Sequence, residues 1–183
     1  MPPMGIRVVA GSAKGRRLAA PDGLSVRPTP NRVREAVFNS LYSLDAIEDA
    51  RVLDLFAGTG ALGIEALSRG AAEAVFVERD PAVARVLRGN LEATGLAGAA
   101  TVMVADVDRA LVQLAGRRFD VALVDPPYAF DAWPDLLWRV PADTVVAESD
   151  RPVDTGPGFA IHHRRRHGGT VVTFAQAANR PSG

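Results

Sequence analysis

The sequence of 183 residues contains no cysteine and only three histidines. Without cysteine the protein has no disulfide framework, thiol nucleophile, thiolate-bound zinc ion or iron–sulfur cluster. The three histidines lie among arginines in the segment 162–167, where no carboxylate accompanies them. We therefore expect no metal centre.

Long apolar stretches are absent as well. No run approaches the roughly 18 uninterrupted apolar residues of a membrane span, and the start, MPPMGIRVVAG, lacks the apolar core of a signal peptide. We therefore expect a cytoplasmic protein with no membrane partner. Hydrophobic residues make up 48% of the chain and charged residues 23%, which is the ordinary balance of a folded domain. The chain has no heptad repeat that would demand a second copy, so we expect a monomer.

The net charge is zero, but the two signs are separated along the chain. Residues 1–40 carry seven basic and two acidic side chains, residues 161–183 carry four arginines and no acid, and residues 41–160 carry ten basic and nineteen acidic side chains. This separation is typical of a basic nucleic-acid-binding face on an acidic body. The alternative is that the chain ends are simply charged and solvated. The candidate nucleic-acid contacts are Lys14, Arg16, Arg17, Arg27 and Arg32.

The basic start of the chain has its own local pattern. Ile6–Ala10 and Arg16–Ala20 are short extended runs separated by five residues that include two glycines, which predicts a hairpin with a basic tip. A proline-punctuated segment follows at 27–30. Apolar residues then recur at helical spacing, which predicts an amphipathic helix with Asn31 as its N-cap and its end near Asp45.

Strand and helix patterns alternate through the remainder of the chain. Helical patterns lie around 61–69, 81–94, 107–115 and 131–139, between the first five of seven predicted strands. The predicted strands are Arg51–Leu55, Ala74–Glu78, Thr101–Val104, Asp120–Val124, Thr144–Glu148, Gly158–His162 and Thr170–Ala175. This order predicts a doubly wound α/β fold with a mostly parallel sheet. The last two strands, joined by a short basic loop at 163–169, would form an antiparallel hairpin at one edge.

A glycine-rich turn follows the first predicted strand. The segment DLFAGTGALG at 54–63 satisfies G-x-G-x-x-G with Gly58, Gly60 and Gly63. Glycines between a strand and a helix let a ligand approach the backbone near the helix N-terminus. The bland alternative is an ordinary tight turn. The sequence therefore favours a nucleotide-type ligand at this position.

Three acids at the ends of the first three strands distinguish between two such ligands. Asp54 stands just ahead of the turn, where it would repel a pyrophosphate but attract the ammonium group of S-adenosylmethionine. Glu78 would then accept hydrogen bonds from the ribose hydroxyls. Asp106 either accepts a hydrogen bond from the adenine amine or only caps the next helix. We therefore expect S-adenosylmethionine as the cofactor.

The fourth predicted strand runs directly into Asp125, Pro126, Pro127 and Tyr128. The prolines stiffen a loop at the carboxyl end of a strand, where open α/β sheets bind ligands. The Asp125 carboxylate and the Pro126 carbonyl could accept both hydrogens of an exocyclic base amine, while Tyr128 stacks on an extruded base. A structural proline-rich strand exit is the alternative. We expect the tetrapeptide to hold the group that is methylated.

The motifs together resemble a known family. DLFAGTGALG, Glu78, Asp106 and DPPY resemble the motifs of class I methyltransferases acting on base amines. GIRVVAGSAKGRRL at 5–18, RPTPNRVREAVFNSL at 27–41 and LDLFAGTGALGIEALSRGA at 53–71 are similar to the bacterial RsmD family of small-subunit ribosomal RNA guanine-N2 methyltransferases.

The resemblance implies a class I, Rossmann-like methyltransferase domain at 41–183 and an RNA-binding hairpin extension at 1–40. It implies S-adenosylmethionine as donor and N2-methylguanosine at guanine 966 of 16S rRNA, in the small ribosomal subunit, as product. By the same resemblance DPPY, Asp125 to Tyr128, holds the target guanine. The implied cofactor contacts are Asp54, Phe56, Gly58, Gly60, Glu78 and Asp106.

Three alternatives stay open on the sequence. The DPPY tetrapeptide also serves DNA adenine-N6 methyltransferases, although these normally need a dedicated recognition domain. A nicotinamide-dependent oxidoreductase could use the glycine turn, and a non-catalytic ribosome assembly factor could keep the fold.

The Arg-rich segment 162–167 departs from the family, and either closes the sheet or also contacts RNA. Trp133 and Trp138 are expected to pack in the core.

Overall fold

The computed structural model describes residues 5–23 and 29–178. Its helices are α1 (Asn31–Ser43), α2 (Ala61–Ser68), α3 (Pro81–Thr94), α4 (Val107–Gln113) and α5 (Trp133–Arg139), with short 3₁₀ turns at Ala97–Ala99 and Gly156–Gly158. Its strands are β1 (Arg51–Leu55), β2 (Glu73–Glu78), β3 (Ala100–Val104), β4 (Phe119–Val124), β5 (Ala142–Ser149), β6 (Phe159–His167) and β7 (Thr170–Ala177).

The seven strands form one sheet in the order β3-β2-β1-β4-β5-β7-β6. Strands β1 to β5 pair in parallel, and β7 runs antiparallel to both β5 and β6. The strand order reverses between β1 and β4, which places a crevice at the carboxyl ends of these two strands. The predicted mostly parallel sheet with an antiparallel edge hairpin is confirmed.

Apolar side chains cover both faces of the sheet. Because side chains alternate along a strand, Val121 and Leu123 of β4 join the layer under α1, α2 and α3, whereas Ala122 and Val124 join the layer under α4 and α5. All four side chains are fully buried. This two-layer core fixes the strand ends on which the candidate site is built.

Residues 5–23 pack against the first of these layers. A single antiparallel bridge joins Arg7 to Arg17, and the apolar side chains of Ile6, Val8 and Leu18 are buried in the core cluster that also contains α1. The predicted hairpin is therefore reduced to one bridge. Its tip also lies against α2, because the amide of Ala13 donates to the Ser68 hydroxyl at 2.9 Å.

Two predictions about where elements begin and end were wrong. Pro30, not Asn31, is the N-cap of α1, and the Asn31 side chain instead accepts a hydrogen bond from Arg34. The basic segment 163–167 is not a loop: β6 continues through it after a bulge, and the turn falls at Gly168 and Gly169. Stacking of His163 on Phe174, with ring centroids 4.3 Å apart, holds the longer strand in place.

The two tryptophans differ in their surroundings. Trp133 is buried, as predicted, but Trp138 is 53% exposed on α5. The helix turns through about 100° per residue, so five positions separate the two side chains onto different faces. Within residues 5–23 and 29–178 no helix is long and apolar enough to cross a membrane.

Candidate active site

The glycine turn and the DPPY loop begin side by side. Leu55 and Val124, the last residues of β1 and β4, are paired in the parallel register. Asp125 therefore starts its loop one strand spacing, about 5 Å, from the start of the glycine turn. The topology brings the predicted cofactor residues and the predicted acceptor residues to one crevice.

The glycine turn has an open side and a packed side. Gly58 has a φ of 56°, and a Cβ placed on it would meet nothing within 4 Å. A Cβ on Gly60, in contrast, would lie 2.1 Å from a methyl carbon of Leu87, and one on Gly63 would lie 2.3 Å from the Phe76 ring. Gly58 therefore leaves room for a ligand, while Gly60 and Gly63 allow α2 to pack closely.

Asp54 is the most deeply buried acid of the crevice. It is 1% exposed, and its carboxylate accepts a hydrogen bond of 2.9 Å from the amide of Gly63 near the start of α2. Burial raises its pKa well above the ordinary value, an effect opposed by the Gly63 hydrogen bond and supported by the negative charges of Asp125 and Glu78. A cation beside Asp54 would stabilise its ionised form.

Glu78 and Asp106 lie at the ends of the next two strands, and both bind backbone amides. Glu78 accepts hydrogen bonds of 2.9 Å from the amides of Gly58 and Asp80. Asp106 is the N-cap of α4 and accepts a hydrogen bond from the amide of Arg109 at 2.9 Å. The capping role of Asp106 is thus present, and the nucleotide contacts of both acids stay predictions.

The DPPY loop presents acceptors at the end of β4. Pro126 is buried, and no donor in the described part of the chain bonds to its carbonyl. The carbonyl of Pro127 is instead used within the loop, where it accepts from the amide of Phe130 at 2.9 Å. Tyr128 is 41% exposed. The loop therefore offers the Asp125 carboxylate, the Pro126 carbonyl and an accessible aromatic face.

An aromatic cluster connects the two halves of the crevice. Phe56 has a φ of 58°, unusual for a residue with a side chain. Its ring meets Phe130 edge to face at 5.8 Å, and Phe130 meets Trp133 at 5.3 Å. The cluster supports the DPPY loop from the glycine turn, so Phe56 has a packing role that its sequence position alone did not indicate.

The sequence analysis missed Glu148 as a functional candidate and did not foresee the contacts of Thr29 with two acids. Thr29 lies ahead of α1, and its hydroxyl is 2.9 Å from Glu148 Oε2 and 3.3 Å from Asp125 Oδ2. Glu148 lies near the end of β5, is only 4% exposed and leaves its Oε1 atom without a hydrogen-bond partner among the described residues. The available signal was an acid directly after the apolar run 145–147, near the carboxyl end of a strand.

A second buried network anchors the start of the chain. Arg34 of α1 and Glu65 of α2 are both fully buried and form an ion pair of 3.3 Å. Arg34 also donates to the carbonyls of Arg7 and Thr29. Burial lowers the pKa of Arg34, and the neighbouring Glu65 raises it. The network ties residues 5–23, the Thr29 segment and α2 to one another.

The predicted nucleic-acid contacts are dispersed. Lys14, Arg16 and Arg17 are exposed on the segment 5–23, and no hydrogen bond or ion pair among the described residues joins their side chains to the DPPY loop. Arg32 is exposed in the first turn of α1, three residues after Thr29. Arg27 lies outside the described residues. Across the ranges 5–23 and 29–178, no group of three or more metal-ligating side chains occurs.

A parallel sheet with a switch point between β1 and β4, a glycine turn after β1 and an antiparallel edge hairpin define a class I methyltransferase fold. The solved structure of yhhF from Escherichia coli, provisionally described as a methyltransferase, superimposes with a TM-score of 0.80. It is 37% identical to this chain, and the match covers 96% of this chain and 99% of that one.

The chain belongs to the RsmD family. The sequence pattern of the family described as Conserved hypothetical protein 95 matches residues 6–176. Ribosomal RNA small subunit methyltransferase D of Escherichia coli strain K12 is 47% identical over 91% of this chain and 87% of its own length. YlbH of Bacillus subtilis, provisionally described as an rRNA methyltransferase, is 40% identical over 81% of this chain and 85% of its own.

Proposed function

We propose that the protein transfers a methyl group from S-adenosylmethionine to the exocyclic N2 amine of a guanine in 16S rRNA. The observation that carries the proposal is the adjacency of the glycine turn to the DPPY loop, through the pairing of Leu55 with Val124. The family supports it, since the relative from Escherichia coli is named a ribosomal RNA small subunit methyltransferase. The product would be N2-methylguanosine.

The residues around the glycine turn suit this donor better than a dinucleotide. Asp54, Glu78 and Asp106 place three carboxyl groups at the ends of β1, β2 and β3, where a pyrophosphate would be repelled. Gly58 leaves open space beside the Glu78 carboxylate. When bound, the donor supplies an electrophilic methyl group on a positively charged sulfur. Asp54 would attract its ammonium group, Glu78 its ribose hydroxyls and Asp106 its adenine amine.

The DPPY loop accounts for activation of the acceptor. The lone pair of an exocyclic amine is delocalised into the ring, so the nitrogen is a poor nucleophile. The Asp125 carboxylate and the Pro126 carbonyl would accept hydrogen bonds from the two N–H groups of the amine. These hydrogen bonds would stabilise the nitrogen as it becomes more tetrahedral and bonds to the methyl carbon. As the nitrogen–carbon bond forms, the bond from the methyl carbon to sulfur breaks, which leaves the sulfur neutral and the nitrogen positively charged. The charged nitrogen readily releases one proton to water, so no strong general base is needed. Tyr128 would stack on the extruded guanine, worth about 1–3 kcal/mol.

The sheet register places further basic side chains near this loop. Arg165 of β6 pairs with Val172 of β7, which pairs with Glu148 of β5. Arg165 is therefore two strand spacings, about 10 Å, from Glu148. Within the described ranges, the exposed side chains of Arg165 and Arg166 form no ion pair or hydrogen bond. We assign them to the RNA-binding face, together with the proposed extension at 1–40.

The test is transfer of radiolabelled methyl to small ribosomal subunits, naked 16S rRNA and duplex DNA in parallel, followed by nucleoside analysis. We expect label in N2-methylguanosine from one of the RNA substrates, and at least about 100-fold slower labelling when Asp125 is replaced by alanine. Label in N6-methyladenine would instead indicate the DNA enzyme. Donor binding without transfer to any substrate would indicate a non-catalytic assembly factor. We propose that the protein acts as a monomer and in the cytoplasm, where it would meet an rRNA substrate.

A further inference from the structure

Glu148 stands next to Asp125 across the sheet. Val124 of β4 pairs with Ala147 of β5, so the two acids follow paired residues on neighbouring strands. The Thr29 hydroxyl lies between them, 2.9 Å from Glu148 Oε2 and 3.3 Å from Asp125 Oδ2. A side chain from outside the sheet thus joins the buried carboxyl group of Glu148 to the partly buried carboxyl group of Asp125.

The number of protons in this arrangement is informative. A threonine hydroxyl has one proton to donate and can accept a hydrogen bond in return. If both acids were ionised, two negative charges would compete for one donor away from solvent, a costly arrangement. If Glu148 carries a proton, it donates to Thr29, which donates to Asp125, and the chain of hydrogen bonds has a single direction.

The charges that surround Glu148 favour the protonated form. Burial has the largest effect and the negative charge of Asp125 the next, while the Thr29 hydrogen bond opposes them; Asp54 adds to the rise and Arg34 opposes it. Together they raise the pKa of Glu148 to about 8. Burial also raises the pKa of Asp125, to about 6, against the Thr29 hydrogen bond. Near neutral pH the pair therefore holds one proton. The deeper burial of Glu148 favours this acid as the protonated one, because the charged form of a carboxyl group is least stable away from solvent.

We propose that Glu148 is a positioning residue: it holds a proton and, through the Thr29 hydroxyl, keeps Asp125 ionised and oriented as the acceptor for the substrate amine. This inference rests on the proposed function. The backbone of Thr29 is also held in place, because its carbonyl accepts a hydrogen bond from the Arg34 guanidinium. The segment before α1 is thereby coupled to the loop that holds the base.

The test compares Glu148→Gln with Glu148→Ala and Thr29→Val. Glutamine keeps the size of the side chain and a permanent N–H donor toward Thr29, so we expect kcat within about threefold of the parent at pH 7. The other two variants lose a hydrogen bond that orients a charged group, so we expect kcat to fall by about tenfold or more. The KM for the donor should be unchanged in all three.

The pH profile separates this role from a merely structural one. In the parent protein kcat should fall below about pH 6, as Asp125 becomes protonated, and above about pH 8, as Glu148 ionises. Glu148→Gln should lose the alkaline decline, and the half-exposed control Glu73→Gln should keep it. An alkaline limb retained in Glu148→Gln, or a Glu148→Gln variant as inactive as Glu148→Ala, would overturn the proposal.

A second readout does not depend on activity. Carbon-13 NMR of the glutamate carboxyl groups, with Glu148→Gln to assign the resonance, reports whether Glu148 is protonated at pH 7. A Glu148 resonance that titrates at the ordinary pKa of 4.5 rejects the inference even if the enzyme methylates rRNA. A protein that transfers no methyl while Glu148 stays protonated to about pH 8 rejects the proposed function and leaves the proton assignment intact.

Discussion

The carboxyl group of Glu65 and the carboxyl pair of Asp125 and Glu148 have very different hydrogen-bond and charge partners. Glu65 of α2 is fully buried and receives four donors: the amides of Val9 and Ala10 at 2.9 and 3.0 Å, and the guanidinium groups of Arg34 and Arg69 at 3.3 and 2.8 Å. Each of the two carboxylate oxygens therefore accepts two hydrogen bonds, and two positively charged groups lie beside one negative charge.

The pair Asp125 and Glu148 has far less compensation. One hydroxyl, that of Thr29, serves both acids, and Glu148 Oε1 has no partner among the described residues. Buried polar groups with too few partners are destabilising and are found most often at functional sites. The difference therefore supports a structural role for Glu65 and the proposed functional role for Asp125 and Glu148.

Removal of Glu65 gives the largest expected effect. Glu65→Ala leaves Arg34 buried without its partner, and we expect the free energy of unfolding to fall by about 3–5 kcal/mol in chemical denaturation. The matched control is Glu73→Ala, which breaks an exposed ion pair with Arg117 and should cost less than about 1 kcal/mol. Equal losses in the two variants would remove the basis for separating Glu65 from surface acids.

Asp125→Ala should show the opposite behaviour. We expect methyl transfer to fall by about 100-fold to 1000-fold, as for loss of a group that stabilises the transition state, while affinity for the donor, measured by titration calorimetry, stays nearly unchanged. Stability should not fall as in Glu65→Ala, because the variant removes a partly buried carboxyl group whose hydrogen-bond partner among the described residues is the Thr29 hydroxyl. Loss of donor binding would assign Asp125 to the cofactor site instead.

The fold was predictable because it depends on local patterns. Apolar runs of strand length alternated with helical periodicity, and the glycine turn and DPPY marked the ends of β1 and β4. The errors have local causes too. Arginines along 163–167 gave the appearance of a loop, but backbone pairing with β7 and stacking of His163 on Phe174 extended the strand.

The candidate site was predictable only where a motif signals it. Glu148 follows a run of strand residues like any other acid, and Thr29 is one of several polar residues in a proline-rich segment. Their proximity depends on the pairing of β4 with β5 and on the path of the chain before α1. Arg34 looked like part of a basic surface, whereas its guanidinium is buried against Glu65. Tertiary contacts of this kind have no period or spacing in sequence.

The pH dependence of stability sharpens the comparison of the carboxyl groups. Because the pKa of Glu148 is raised, the folded protein keeps a proton on this acid between about pH 4.5 and pH 8, where the unfolded chain has released it. The stabilising contribution is complete below pH 4.5 and is lost as the pH rises to about 8, by at most about 1.4 kcal/mol per pH unit. Thermal unfolding should therefore show Glu148→Gln gaining on the parent protein across this range. A constant difference between the two proteins would contradict the assignment.

The smallest expected effect concerns the exposed arginines of β6. Replacing Arg165 and Arg166 with glutamine should reduce the slope of log K against log salt concentration for RNA binding by about 1.4 to 1.8, since each phosphate contact contributes about 0.7 to 0.9. Arg16→Gln with Arg17→Gln should lower the slope by about as much if the segment 5–23 also contacts RNA.

The matched control removes the same charge from the opposite end of the sheet. Arg117 and Arg118 flank the amino end of β4 and pair with Glu73 and Asp143, so their replacement with glutamine should leave the slope unchanged. A slope that falls equally in both double variants would reflect net charge alone, because a long-range field does not depend on where two charges are removed, whereas a bound phosphate does. A decrease confined to the β6 variant would indicate that the RNA backbone contacts the edge hairpin at the carboxyl ends of the parallel strands, where Asp125 also lies.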